Sequence, residues 1–166
     1  NITGGLLAKR MGLPIQHFIA ATNINDVVPE YLHQGTFNPR PSKQTISNAM
    51  DVGNPSNFVR MLELYQHDFA ALSRDISGYS FTDQQTRDAM RHVFSKDGYI
   101  LDPHGAIGYL GLKQYMRQST EKVTGVFLET AHPAKFKEVV EETLGQSIAV
   151  PPALQKFLQH EKKTIK

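Results

Sequence analysis

His17-Phe18-Ile19-Ala20-Ala21-Thr22-Asn23-Ile24-Asn25 is the stretch that decides the fold. Its first six residues form a short apolar run, bounded by Pro14 on one side and by Asn23-Ile24-Asn25 on the other. That is the form of a parallel strand buried on both faces. Upstream, residues 2–11 open on Thr3-Gly4-Gly5 and run through Leu6, Leu7, Ala8 and Met11 to Gly12 and Pro14, which reads as a buried helix opening on glycines. Downstream, Asn25 is placed to cap a helix through Tyr31-Leu32 that Gly35 ends.

Further along, residues 36–56 hold Pro39, Pro41 and Pro55, many polar side chains and no apolar period. Structureless stretches above about 12–15 residues in a compact domain are usually functional or disordered, so this one is a candidate active-site loop. From Asn54, with Pro55 at the first helical position, Phe58, Met61, Leu62, Tyr65, Phe69 and Leu72 recur at helical spacing and predict one long amphipathic helix. Thr82-Asp83-Gln84-Gln85 is a capping box leading a helix to about Ser95. Asp102-Pro103 opens another, whose Ile107, Tyr109, Leu110, Leu112 and Met116 point all round, the pattern of a buried helix.

Val123 to Leu128 reads as a second strand, broken by Thr130-Ala131-His132-Pro133. Phe136, Val139, Val140 and Leu144 mark one face of a last clear helix that ends at Gly145, and Pro151-Pro152 begins a short tail helix with a frayed, charged Glu161-Lys162-Lys163 end. The order helix, strand, helices, strand, helix predicts an α/β architecture: a partial parallel sheet with flanking helices. A parallel two-stranded sheet needs cover on both faces and both edges, so its partner strands are expected from outside this chain or from another copy of it.

Composition removes several classes of function. The 166 residues suffice for one hydrophobic core, and 18 Lys+Arg against 16 Asp+Glu leave a net charge of +2, with no electrostatic case for nucleic acid or a membrane surface as partner. The chain has no cysteine, hence no disulfide framework or thiolate metal site, and no apolar run approaches the roughly 18 residues needed to cross a bilayer. The expectation is a soluble, cytoplasmic protein. The seven histidines, at 17, 33, 67, 92, 104, 132 and 160, include no pair at metal-ligand spacing, and there is no nucleophile elbow or Walker loop.

In open parallel sheets ligands collect beyond the C-terminal strand ends, where helix N-termini also point unpaired N–H groups. The first strand runs into Asn23 and Asn25, the second into Thr130 and His132. Asn25 and Thr130 could equally be helix caps. Between the strands, Ile46 to Asn57 is dense in amides and hydroxyls, suited either to holding an anion without titrating or to making turns. His104, in Asp102-Pro103-His104-Gly105, is placed to project near the same sheet edge. The residues alone thus describe an α/β domain that binds a small anionic ligand.

Gly4-Gly5-Leu6-Leu7-Ala8-Lys9, Phe18-Ile19-Ala20-Ala21-Thr22-Asn23, Ser47 to Asn57 (SNAMDVGNPSN), Asp102-Pro103-His104 and Thr130 to Phe136 (TAHPAKF) occur in an order that resembles threonine synthase, nearly to Pro152. The resemblance implies part of the large domain of a fold type II enzyme dependent on pyridoxal phosphate (PLP). It implies residues 1–152 as the C-terminal portion of the catalytic domain and 153–166 as a tail. The implied reaction turns O-phosphohomoserine and water into threonine and phosphate, with O-phosphohomoserine as the small-molecule partner. In the family a Ser-Gly-Asn-Phe-Gly-Asn loop holds the cofactor phosphate. Asn1 matches its last residue, and the Schiff-base lysine lies further upstream, so the expected catalytic lysine is outside this chain.

By the same resemblance Thr130 faces the pyridine nitrogen, and Asn23, Asn25, His104 and His132 lie at the cofactor edge. Asn48, Asp51, Asn54, Ser56 and Asn57 are the expected contacts to substrate phosphate and carboxylate. A fragment of this kind is expected to be inactive alone and to self-associate through apolar surface that the rest of the protein would cover. Another fold type II PLP lyase, such as a dehydratase or a phospho-lyase, and a non-catalytic ligand-binding domain of the same fold remain open alternatives.

Overall fold

The computed structural model of the chain describes residues 2–158. Asn1 and the charged Glu161-Lys162-Lys163 end lie outside the described residues. Among the described residues two strands, β1 (Phe18–Thr22) and β2 (Ile76–Ser80), are set among eight α-helices: α1 (Ile2–Arg10), α2 (Val27–Gln34), α3 (Phe58–Leu64), α4 (Phe69–Asp75), α5 (Asp83–Asp97), α6 (Pro103–Gln118), α7 (Lys137–Leu144) and α8 (Pro152–Leu158). The strands are parallel, in register from Phe18 opposite Ile76 to Thr22 opposite Ser80.

Strand alternation divides the core in two. Phe18, Ala20 and Ile76 join Leu6, Tyr31, Leu32, Phe58, Met61 and Leu72 on the face covered by α2. Ile19, Ala21 and Tyr79 join Phe81, Ile107 and Tyr115 on the face covered by α6. The helices come close because two facing positions lack side chains: a Cβ on Gly78 would stand 2.6 Å from Pro29 Cα, and one on Gly111 would stand 2.8 Å from Ala21 Cβ. Leu6, Leu72 and Ile76 are each 1% exposed. At about 1.5–3 kcal/mol per buried side chain, this packing outweighs a short ladder whose bonds net about 1 kcal/mol each. β1 is half-buried along its whole length, the mark of a strand with one open edge.

The expected second strand is corrected. Val123–Leu128 is extended but unpaired, and β2 is Ile76–Ser80 instead. Residues 123–129 run antiparallel along α6 with alternate side chains turned in: Gly125 lies on Leu112, Phe127 edge-on to Tyr109 at 5.8 Å, and Glu129 over Gly105. The outward positions Val126 and Leu128 are 81% and 65% exposed. The run therefore has strand chemistry and no strand beside it among the described residues. β2 was hidden because Ile-Ser-Gly-Tyr-Ser carries little β-branched or alternating signal.

Other elements differ in detail. The single helix expected from Asn54 is two, α3 and α4, parted where Gln66 and His67 take positive φ of 51° and 60°. This left-handed turn ends one apolar stripe and starts another. Asp68, whose side chain accepts from Ala71 N–H, caps the second helix. Asn25 is no cap, since Asp26 occupies that position before α2, and the residue that caps the short 3-10 turn after Thr130 is His132. In α1 Leu6 is the buried residue, and in α6 burial is concentrated between Pro103 and Gly111, while Met116 is 42% exposed. As expected, Thr82 and Gln85 form a reciprocal capping box, and Gly35 and Gly145 end α2 and α7 in the left-handed conformation; Gly98 ends α5 in the same way.

Candidate functional site

Helix directions bring the polar segments to one edge. α6 runs against the strands, with Ile107 near Tyr79 and Phe81, Gly111 over Ala21, and Tyr115 stacked on His17 at 4.7 Å. Its first turn, with Asp102-Pro103-His104, is therefore at the C-terminal strand ends, and the 123–129 segment returns Thr130 to the same place. α1 also runs against the strands. Lys9 near its C-terminus bonds Gln16 O at 2.8 Å and Asp75 at 3.0 Å, both just before strands, so its opening turn points toward the edge of Asn23. There Thr3 Oγ1 is buried with no partner among the described residues.

Asn23, 1% exposed, is the hub of the first wall. Its Nδ2, which has two hydrogens, lies 2.7 Å from Thr45 Oγ1, 3.1 Å from Ser47 Oγ, 3.3 Å from Ser47 O and 2.8 Å from Asp51 Oδ1. Its Oδ1 accepts from both the backbone and the side-chain amide of Asn25, at 2.9 Å each. Asn25 in turn donates to Lys43 O at 2.9 Å and accepts from Lys43 N at 2.7 Å. Asp51 closes the web by accepting from Thr45 N at 3.0 Å and from Thr45 Oγ1 at 2.7 Å. Three of the expected site residues, Asn23, Asn25 and Asp51, thus meet, and they spend their groups on ordering residues 43–51. The other expected substrate contacts, Asn48, Asn54, Ser56 and Asn57, stand exposed beyond that web.

His104 links the loop to α6. Its Nε2 accepts from Ala49 N–H at 3.1 Å, so Nδ1 carries the proton and donates to Asp102 Oδ1 at 2.9 Å. Asp102 also accepts from His104 N at 2.8 Å, capping α6. Burial acts to raise Asp102, but the hydrogen bonds with His104 and Glu129 outweigh it and hold its carboxyl below the ordinary range. Phe136 packs on the His104 ring at 4.6 Å. Thr130 and His132 are exposed, and His132 Nδ1 accepts from Ala134 N at 3.1 Å. Among the described residues the sequence reading passed over Thr3, Thr45 and Glu129. Glu129 could have been found by extending the alternation of Gly125 and Phe127, which turns a carboxyl inward.

An open cleft of about 480 Å³, lined by His17, Ser77, Tyr79, Tyr115 and Gln118 among others, lies at the N-terminal strand ends. Larger than the dent beside Arg40, it is on the side of a parallel sheet where ligands do not usually collect. The polar edge defines the class of protein: an α/β domain of parallel strands whose C-terminal strand edge is walled by an amide-rich loop on one side and a hydroxyl-bearing segment on the other.

Comparison with known proteins narrows the class. A family model for the C-terminal part of threonine synthase matches residues 105–166. Threonine synthase of Haemophilus influenzae is 46% identical over 159 residues, 96% of this chain and 36% of that protein. The crystal structure of threonine synthase from Escherichia coli superposes with a TM-score of 0.85 at 42% identity, covering 93% of this chain and 35% of that one. A PLP-bound threonine synthase from Brucella melitensis gives a TM-score of 0.81 at 34% identity, over 95% and 39%. The chain belongs to the threonine synthase family, and it spans little more than a third of the length of these relatives.

Proposed function

We propose that the full-length protein containing this chain is a PLP-dependent lyase that converts O-phosphohomoserine and water to threonine and phosphate. In this reading the chain builds the part of the catalytic domain that faces the cofactor ring and the substrate, and the Schiff-base lysine belongs to the remaining two-thirds of the protein. The observation that carries the proposal is the buried Asn23–Asn25–Asp51 web, which fixes residues 43–51 at the edge to which α1, α6 and Thr130 also converge.

The residues present fit the cofactor. A helix opening with free N–H groups and an orphaned hydroxyl at Thr3 suits a phosphate, with Asn1 just ahead of it. Bound there, PLP supplies an electron sink for carbanion chemistry. The Thr130 hydroxyl, neutral at any working pH, faces the pyridine nitrogen and leaves it less electron-withdrawing than a carboxylate partner would. Asn48, Asn54, Ser56 and Asn57 offer amides and hydroxyls to the substrate phosphate and carboxylate. Asp51 is held in the web by hydrogen bonds from Thr45, Asn23 and Asn25. Asn23 and Asn25 act on the cofactor edge through the loop they order. His104 sets that loop from the α6 side, and His132 turns the chain after Thr130.

Product analysis on the full-length protein tests this. Phosphate and threonine in equal amounts from O-phosphohomoserine is the expected result. Phosphate with 2-oxobutyrate would make it a different lyase of the same fold, and no phosphate at all would leave a binding domain.

A further inference from the structure

Two acceptors inside the site edge have no donor among the described residues: Asp102 Oδ2 and Glu129 Oε1 are both sealed from solvent and unpartnered. The other oxygen of Asp102 already serves the His104 backbone and ring. Glu129 reaches this place because Gly105, one turn into α6, has no side chain. A Cβ there would overlap the Glu129 carboxyl. Two carboxyls with an oxygen of each buried and facing the other are satisfied when one proton is shared, which turns a pair of acceptors into a donor and an acceptor.

We propose that Glu129 is a positioning residue: protonated, it donates to Asp102 Oδ2 and clamps the segment ending in Thr130 against the first turn of α6. The clamp rests on the reading of Thr130 as the ring-facing hydroxyl. It completes one chain of contacts across the site, from Thr130 through Glu129, Asp102 and His104 to the backbone of Ala49 in the opposite loop. Burial first, and the Asp102 carboxyl second, push Glu129 up to about 8, so the proton is present at neutral pH. The titratable groups that act on the pair are Asp102 and Glu129 themselves and His104 on α6, while the loop contributes the Ala49 backbone N–H. Because the folded value lies above the ordinary one, the stability from the protonated clamp is full below pH 4.5, drains as pH rises, and is gone above about 8.

The test uses the full-length PLP-loaded protein and three variants, Glu129→Gln, Glu129→Ala and Gly105→Ala. Glu129→Gln keeps a donor that cannot titrate. Its melting temperature relative to wild type is expected to rise steadily between about pH 5 and pH 8, by about 3 °C in all, and to level off by pH 9. Phosphate release lost in Glu129→Ala should be largely recovered by this conservative variant. Glu129→Ala is expected to change the absorbance of bound PLP and slow phosphate release roughly 10-fold or more, with Gly105→Ala reproducing the change and the two not adding. Parallel melting curves for wild type and Glu129→Gln at every pH would overturn the clamp, as would a Glu129→Ala protein with unaltered cofactor absorbance. A wild type that neither binds PLP nor releases phosphate would instead overturn the proposed function. The melting profile would still decide the clamp.

Discussion

The two walls of the site edge are built on opposite principles. Residues 43–51 are held by side-chain hydrogen bonds to Asn23 and Asn25, and the web is closed within this chain. Residues 123–130 are held by alternate side chains turned onto α6, where Phe127 joins a core shared with α5 and α7, with Val126 and Leu128 turned out to solvent. A polar web needs every member, since each buried group left without a partner costs about 1–3 kcal/mol. An apolar strip with one bare face needs a neighbour. The first wall is therefore complete as it stands, and the second has surface for a partner, in keeping with a chain that covers about a third of its relatives' length.

Breaking the first wall should have the largest effect. Asn23→Ala strands Asp51, Thr45, Ser47 and Asn25 groups at once, and about 3 kcal/mol of lost stability is expected in denaturant unfolding of the full-length protein. A loss under about 1 kcal/mol would mean that water replaces the web at little cost. On the second wall, Phe127→Ala removes the contact to Tyr109 and is expected to cost about 2 kcal/mol, less than a fully buried phenylalanine because the residue is only half-buried. Thr82→Ala removes the α5 cap, next to Asp83, which accepts from Ile46 N–H of the first wall at 3.3 Å; it should cost about 1 kcal/mol and calibrates the other two in stability. Smallest in stability is Val126→Ser with Leu128→Ser, expected within about 0.5 kcal/mol of wild type for the isolated chain. The same pair should abolish self-association of the isolated chain in sedimentation velocity. Unchanged association would show that these side chains are not what sticks.

The walls also differ in how far they could be read in the residues. β1, the capping box at Thr82, the Asp102-Pro103 start and the glycine stops were legible because each is settled by near neighbours in sequence. That Asn23 and Asn25 would turn inward to tie the amide-rich loop was not, because their partners at Lys43, Thr45 and Asp51 are some twenty residues away. Val123–Leu128 misled for the opposite reason: its local pattern is that of a strand, and pairing is a property of a neighbour the run cannot encode. β2 escaped notice because its place is set by α4 and by Gly78 under Pro29, not by its own weak signal.

Both walls serve one cofactor in this account, and a crystal structure of the full-length protein with PLP measures that directly. The expected result is Thr130 Oγ1 about 2.7–3.2 Å from the pyridine nitrogen, with residues 43–51 lining the same cavity. PLP in a cavity that either wall does not touch, or a ring nitrogen paired with some other side chain, would contradict it.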